Sequence, residues 1–360
     1  MRNIDRRQFI AATAPVATAA ALGAQPAAAT PGEKDRSMVV DVQSHLFFRD
    51  HVELMRRRTE DPRVFDKDGV TLLKMGDWVR KIPPEYQDLE LKLAAMDENG
   101  IDVTLLSSND PGPEWFGADG PAVAQLLNDN IHSAVQKHRG RFAGLCLLPL
   151  QDSAAADREL DRCVKSLQFK GILLYSNLAG RWPDEPQFRW LFARAEELGL
   201  PIVLHPALPT TLAQTKGHDL TGLLGNMFEN TISLARIVAA GIFDEYPDLK
   251  FVCPHLGGTL PYIAGRFDHQ VLVLKRSNQN LERKPSDYLR SIFMDIVSPL
   301  PEAIRFAVEF SGPDRLLYAS DHPWVQPDVI LSSLEEAGVN RSDRRKILGR
   351  NAVKLFDLRR

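Results

Sequence analysis

Residues 201–206, Pro-Ile-Val-Leu-His-Pro, contain the short apolar run that decides the fold. The run follows a helical pattern in which apolar residues recur every three or four positions, and this pattern stops at Gly199. A strand that is apolar on both faces and directly follows a helix is typical of a parallel sheet covered on both sides. Repetition of this helix–strand unit along the chain predicts an α/β fold.

Seven further runs of the same kind recur, separated by helical patterns. With Ile202–Leu204, the predicted strands are Val39–Val42, Val103–Leu106, Phe142–Leu148, Gly171–Leu174, Phe251–Cys253, Ile292–Asp295 and Leu316–Tyr318. Eight such units favour a closed (β/α)₈ TIM barrel over an open doubly wound sheet, and no Gly-rich phosphate motif follows the first strand. We predict one barrel domain over residues 38–358. An insertion over residues 46–87 follows the first strand, and we expect it to form a lid or an oligomer contact.

One intervening helix is predicted over residues 227–243. Five apolar residues in it follow one another at spacings of four, three, four and three: Phe228, Ile232, Ala235, Ala239 and Ile242. This spacing places them on one helix face, which we expect to be buried against the sheet.

Composition excludes several classes of protein. Of the 360 residues, 44% are hydrophobic and 25% are charged, so the chain can bury a full core. The 44 basic and 47 acidic residues leave a net charge of −3 without the basic footprint of a nucleic-acid-binding protein. The three cysteines (Cys146, Cys163 and Cys253) form neither a disulfide scaffold nor the paired spacing of a structural zinc site.

The first thirty residues have the pattern of an export signal. Arg6-Arg7 precede an uncharged stretch, rich in Ala and Thr, that runs from Gln8 to Gly32 and contains Ala27-Ala-Ala29. The paired arginines followed by Phe9 are typical of a twin-arginine signal peptide. This reading predicts passage through the twin-arginine (Tat) translocase, a periplasmic or secreted location and no stable membrane anchor. The alternative is a disordered Ala-rich N-terminus.

Metal-binding residue types stand at the ends of four predicted strands. Gln43-Ser-His45 follow the first strand, His205 ends the fifth, His255 ends the sixth and Asp321 closes the eighth. Barrel active sites are built at the carboxyl ends of the strands, so we expect these side chains to meet at one mouth. Imidazole and carboxylate ligands together suit Zn²⁺, Mn²⁺ or Fe²⁺. Individually, each histidine could instead be a core-edge residue, and the aspartate could cap a helix.

Four motifs carry a resemblance to a known family. They are Val39-Val-Asp-Val-Gln-Ser-His45, Leu204-His-Pro206, Pro254-His-Leu-Gly-Gly-Thr-Leu-Pro-Tyr262 and Ala319-Ser-Asp-His-Pro323. The chain resembles the amidohydrolase superfamily, whose barrels are of the metal-dependent hydrolase type, and within it the branch of aminocarboxymuconate-semialdehyde decarboxylase.

The resemblance implies a role for each strand-end residue. His45, His205 and Asp321 would hold one divalent metal, with Zn²⁺ expected first and Mn²⁺ as the alternative. Asp321 and His255 would be the catalytic residues that carry protons. The family also contains dimers, which implies a homodimer.

Gln43 departs from the family pattern, which usually has His or Glu at this position. It could be a weak metal ligand, or it could instead hydrogen-bond a metal-bound water or the substrate. The third alternative is a degenerate metal site.

The resemblance predicts a metal-dependent decarboxylase that acts on a small unsaturated or aromatic carboxylic acid. Two alternatives stay open: a metal-dependent hydrolase of a lactone, an amide or a carbon–carbon bond, and a metal-free barrel that only binds a ligand. Further polar residues follow other strands and are expected to contact substrate: Asn109, Tyr175, Asn177 and Asp295. We expect the remaining histidines, among them His51, to lie at the surface.

Overall fold

The computed structural model describes residues 37–358, so the predicted signal peptide at residues 1–30 lies outside the described residues. The strands are β1 (Val40–Leu46), β2 (Arg63–Lys67), β3 (Val70–Met75), β4 (Trp78–Lys81), β5 (Val103–Ser108), β6 (Phe142–Cys146), β7 (Gly171–Tyr175), β8 (Ile202–His205), β9 (Phe251–Cys253), β10 (Phe293–Asp295) and β11 (Leu316–Leu317).

Helices follow the barrel strands on the outside. They are α1 (Arg49–Arg56), α2 (Leu89–Glu98), α3 (Gly120–Lys137), α4 (Ser153–Lys165), α5 (Arg189–Glu197), α6 (Leu212–Thr215), α7 (Asn226–Ala239), α8 (Ile242–Glu245), α9 (Ala264–Asp268), α10 (Pro285–Ser291), α11 (Pro301–Ser311), α12 (Pro327–Glu336), α13 (Arg341–Arg345) and α14 (Asn351–Leu355). Between residues 37 and 358, no helix has both the length and the apolar character needed to cross a membrane.

Eight parallel strands form the barrel in the order β1-β5-β6-β7-β8-β9-β10-β11. The two end strands meet through backbone hydrogen bonds, since Val42 N donates to Tyr318 O at 3.1 Å and Asp321 N donates to Gln43 O at 3.0 Å. The (β/α)₈ barrel predicted from the apolar runs is therefore confirmed. β1 continues to Leu46, beyond the predicted end at Val42, so that Gln43 and His45 lie within the strand.

The core of the barrel consists of the apolar runs that identified it. Leu105, Ile172 and Val203 are completely buried, as are the apolar residues of the surrounding helices that pack on them. Burying one such side chain contributes about 1.5–3 kcal/mol relative to leaving it in water. The many buried strand residues therefore make the barrel a rigid support for polar groups at its mouth.

The insertion forms a small sheet of its own. Strands β2, β3 and β4 pair antiparallel, with β3 in the centre. Asp68 and Gly69 join β2 to β3 with positive φ angles of 52° and 76°, which is the backbone of a tight two-residue hairpin turn. On one side of the sheet, Leu73 and Met75 are buried and anchor it to the body of the protein. β4 lies nearest to the mouth of the barrel.

The predicted buried face of the helix after β8 is wrong at Phe228, which is 39% exposed. The buried face of α7 instead carries the polar residues Glu229 and Asn230. Their partners lie at the mouth of the barrel: Glu229 accepts from Asn177 Nδ2 at 2.7 Å, and Asn230 contacts His255. Polar side chains can occupy a buried helix face when such partners satisfy them.

His51 also differs from expectation. This α1 residue is only 1% exposed, packs beside Phe116, and has both ring nitrogens without a hydrogen-bond partner among the described residues. Burial lowers its pKa to about 4, so the imidazole is neutral and packs as an aromatic core group.

Candidate metal centre and active site

Three of the predicted metal ligands meet at the carboxyl ends of the strands. His45 lies in β1, His205 is the last residue of β8, and Asp321 follows β11. One ligand atom from each lies within 4.8 Å of the other two. Gln43 precedes His45 by two residues in β1, so the two side chains point to the same side of the strand. The barrel therefore brings together residues that are distant in sequence.

The hydrogen bonds around these side chains fit a bound cation. His45 Nδ1 lies 2.8 Å from Ser107 Oγ, which leaves Nε2 directed at Asp321 Oδ1, 3.3 Å away. His45 Nε2 and Gln43 Oε1 are both buried and have no hydrogen-bond partner within residues 37–358. Buried acceptors without a partner cost free energy, and a divalent cation would satisfy both.

The charge states also suit a metal. Burial alone would raise the pKa of Asp321, but the imidazoles of His255 and His45 outweigh it and hold that pKa well below the ordinary value. Burial, reinforced by the neighbouring His45, holds the pKa of His205 well below 6.5. Asp321 is therefore ionised and His205 is neutral at neutral pH. These are the forms in which carboxylate and imidazole bind metals.

His255 lies beside this group and outside it. Its Nε2 is 3.5 Å from Asp321 Oδ2, on the side of the carboxylate away from His45. The residue has a positive φ of 54° and is held there because its backbone N–H donates to Asp295 Oδ1 at 2.7 Å. His255 also lines the adjacent cavity, so its ring can reach a bound molecule.

A cavity of about 640 Å³ opens above the metal-ligand side chains. Arg80 of the insertion lines it and forms an ion pair with Asp110. The Arg80 guanidinium lies 4.4 Å from the ring centre of Trp78 and 5.6 Å from that of Trp324, and both rings line the cavity as well. The cavity thus has metal-type ligands at one side and an aromatic, cationic wall at another.

The sequence did not single out Arg80 or Trp324. The alternation of residues along β4 is the signal that could have found Arg80, since Trp78 and Arg80 lie on the same side of that strand.

The four residues expected to contact substrate divide into two groups. Asn109 lines the cavity, and both polar atoms of its side chain are buried without a hydrogen-bond partner in the described part of the chain. The other three are buried and are not among the residues that line the cavity, so the expectation of direct contact is corrected for them. Tyr175 donates to Ser108 O at 3.4 Å, Asn177 donates to Glu229, and Asp295 accepts from His255. They support the site from behind.

Lys92 is a second residue that the sequence did not reveal. This α2 lysine is 2% exposed, and its Nζ lies 2.6 Å from Ser44 Oγ and 3.0 Å from His322 Nδ1. It therefore links the residue between Gln43 and His45 to the residue after Asp321. Burial lowers the pKa of Lys92 to about 8. A buried cation here places positive charge behind the metal ligands.

The model of one protein family, described as amidohydrolase, matches residues 40–358. Gamma-resorcylate decarboxylase of Polaromonas sp. (strain JS666 / ATCC BAA-500) is 32% identical over 319 residues, which cover 81% of this chain and 94% of that protein. The 2-amino-3-carboxymuconate-6-semialdehyde decarboxylase of Dictyostelium discoideum is 26% identical over 343 residues, covering 90% and 92%.

A solved structure has the same architecture. It is the dihydroxybenzoic acid decarboxylase from Polaromonas sp. JS666, with bound manganese and the inhibitor 2-nitroresorcinol. The two structures have a TM-score of 0.75 and 25% sequence identity, covering 90% of this chain and 98% of the other.

Proposed function

The chain belongs to the amidohydrolase family, and we propose that it is a metal-dependent carboxy-lyase that removes carbon dioxide from a small aromatic carboxylic acid. The observation that carries this proposal is the group of His45, His205 and Asp321 at the side of a cavity that Arg80 also lines. The names of the relatives support it, since they act as decarboxylases of resorcylate and of a carboxymuconate semialdehyde.

His45, His205 and Asp321 would hold one divalent metal, with Gln43 Oε1 as the fourth donor. A bound divalent cation supplies positive charge that holds substrate oxygen atoms and stabilises negative charge that develops in the reaction. The sequence favoured Zn²⁺. We propose Mn²⁺ instead, because amide and carboxylate oxygens suit that ion and a similar solved structure contains manganese.

Arg80 would bind the carboxylate or a ring hydroxyl of the substrate. A guanidinium forms strong charge-assisted hydrogen bonds with anionic oxygens. Its position over Trp78 and Trp324 limits its movement, so the charge is fixed in place before substrate arrives. The indole rings also give an aromatic substrate an apolar surface to pack on, and Asn109 offers both a donor and an acceptor.

His255 would deliver the proton. A proton is added to the ring carbon that bears the carboxylate, and a C–H bond forms there. The C–C bond to the carboxylate then breaks, its electron pair returns to the ring, and carbon dioxide leaves. His255 lines the cavity, and the carboxylate of Asp321 raises its pKa above that of an ordinary histidine despite burial. A proton carrier that titrates near neutral pH is effective in general acid catalysis.

The test is turnover of hydroxylated benzoic acids by protein reconstituted with Mn²⁺. We expect release of carbon dioxide without incorporation of solvent oxygen into the aromatic product, and loss of turnover with a chelator. His205→Ala should lose both bound metal and turnover. His51→Leu is the matched control, because it removes a buried imidazole outside the site and should retain both.

The other outcomes identify the alternatives. Incorporation of ¹⁸O from labelled water into the product would show a hydrolase. Absence of bound metal after addition of Mn²⁺ or Zn²⁺ would show a degenerate site that only binds a ligand.

We further propose export by the twin-arginine route to the periplasm or the exterior, and a homodimer. The Arg6-Arg7 pair and the uncharged stretch after it support export. Fusion of residues 1–30 to a reporter protein should direct the reporter across the inner membrane, and conversion of both arginines to lysine should prevent this. Light scattering on the purified protein tests the dimer.

A further inference from the structure

Asn230 is a buried polar residue for which the proposed chemistry has so far given no role. It lies on α7, is completely buried, and its side-chain Nδ2 is 3.0 Å from His255 Nδ1. Asparagine is a poor helix former, and an amide buried in an apolar environment costs free energy unless it is hydrogen-bonded. Its position therefore needs a reason beyond packing.

The turn that carries His255 is held at two points. The backbone N–H of His255 donates to Asp295 Oδ1 at 2.7 Å, which fixes the main chain. Asn230 contacts the ring itself, from the helix on the other side of the turn. With the main chain fixed by Asp295, the contact with Asn230 determines how the imidazole is rotated and which nitrogen faces the cavity.

The polarity of the two contacts on the ring is complementary. Asp321 is ionised and can only accept, so the ring nitrogen that faces it, His255 Nε2 at 3.5 Å, is the one that bears hydrogen. In a neutral imidazole the other nitrogen, Nδ1, then has a lone pair and needs a donor. Asn230 Nδ2 is that donor, and Asn230 Oδ1 has no hydrogen-bond partner within residues 37–358.

We propose that Asn230 is a positioning residue that holds neutral His255 in the Nε2–H tautomer, with the hydrogen-bearing nitrogen facing Asp321 and the cavity. The tautomer of a histidine is set by the hydrogen bond that its other nitrogen makes. The structural part of this proposal stands alone, and its catalytic consequence rests on the proposed decarboxylase function.

Two substitutions separate this role from packing. Asn230→Leu keeps a similar volume and removes the donor. Asn230→Asp keeps the shape and replaces the donor by an acceptor, which favours hydrogen on Nδ1. Ser233→Ala is the matched control, because Ser233 is buried on the same face of α7 one turn away and its Oγ has no partner among the described residues.

The measurement is a long-range ¹H–¹⁵N spectrum of ¹⁵N-histidine-labelled, Zn²⁺-loaded protein, since Mn²⁺ would broaden the signals. His255→Gln assigns the His255 resonances. The wild type and Ser233→Ala should show the Nε2–H pattern. Asn230→Leu should show a mixture of tautomers, and Asn230→Asp should show hydrogen on Nδ1. With an aromatic carboxylic acid as substrate, both Asn230 variants should lower kcat by roughly 10- to 100-fold and change KM by less than about threefold, with unchanged metal content.

An unchanged Nε2–H pattern in Asn230→Asp would overturn the proposal, even if Asn230→Leu fails to fold. A changed tautomer with wild-type kcat would also overturn the catalytic role. If the tautomers change as expected but no variant, including the wild type, releases carbon dioxide, then the proposed function fails and the structural assignment of Asn230 stands.

Discussion

Gln43 Nε2 donates to Asp321 Oδ1 at 3.3 Å and joins the first strand of the barrel to the segment that follows the last. The backbone makes a second link, because Asp321 N donates to Gln43 O at 3.0 Å. With its amide nitrogen used in this way, Gln43 presents Oε1 as a buried acceptor without a hydrogen-bond partner among the described residues. A neutral glutamine therefore satisfies Asp321 and still offers an oxygen to a cation.

Replacing Gln43 by Glu should bind the metal more tightly. A second carboxylate beside Asp321 adds negative charge to a site that Lys92 makes less negative, so we expect metal affinity to rise by roughly tenfold or more. The metal-free variant should have a lower Tm than the wild type, because the two carboxylates repel each other. Competition with a chelating dye and thermal unfolding measure the two effects. Equal or weaker metal binding by Gln43→Glu would show that Gln43 is not a ligand.

His255→Ala should abolish turnover and leave the metal bound. The ring lies beside Asp321 at 3.5 Å and outside the group of three ligands, so its loss removes the proton carrier only. We expect kcat to fall by about 10²- to 10⁴-fold, the range that a general acid contributes. Metal analysis of the purified variant is the companion measurement. Loss of metal in proportion to activity would place His255 among the ligands instead.

Arg80→Met should weaken substrate binding. The methionine keeps the apolar stem between the indole rings and removes the charge, so KM should rise by roughly 10- to 100-fold, in line with the loss of a charge-assisted hydrogen bond. Because this change also leaves Asp110 without its ion pair, the double variant Arg80→Met/Asp110→Asn is needed to restore stability. Arg63→Met, in β2, is the control on the same small sheet. A KM that recovers in the double variant would assign Arg80 a purely structural role.

Glu114→Gln should change the pH dependence of stability. Glu114 is buried, and burial, together with the nearby charge of Asp110, raises its pKa from 4.5 to about 8. Between these values the folded state keeps a proton that the unfolded state has lost. The free energy of unfolding of the wild type therefore falls as pH rises through this window, by up to about 1.4 kcal/mol per pH unit from this group.

Urea unfolding at several pH values measures this effect. The glutamine variant lacks the titrating group, so the difference between variant and wild type should grow in favour of the variant as pH rises from about 5 to about 8. Parallel stability curves for the two proteins would contradict a raised pKa for Glu114.

The barrel was predictable because its strands are buried on both faces. Runs such as Ile202–Leu204 are apolar throughout and short, and helical patterns of the right length separate them. The metal-type residues were predictable for a related reason. A barrel places the carboxyl ends of all its strands at one mouth, so His205 and Asp321 were expected to meet although more than one hundred residues separate them.

The residues that the sequence missed depend on tertiary contacts. Lys92 is a charged residue in a helix, and only its approach to Ser44 and His322 explains its burial. On α7, the apolar spacing placed Phe228 inward, but the helix is rotated so that Glu229 and Asn230 face the mouth of the barrel. Periodicity records apolar residues only, so it cannot identify a buried helix face built from polar side chains.

The three-stranded sheet of the insertion separates two tasks in this molecule. It is held by its own hairpin hydrogen bonds, it contributes Trp78 and Arg80 to the cavity, and within residues 37–358 the three clustered metal-type ligands all come from the barrel. Evolution or protein engineering can therefore redesign the small sheet to select another acid while the ion-binding framework stays untouched. Exchanging this one module between relatives is a direct route to new substrate preferences on a constant reaction.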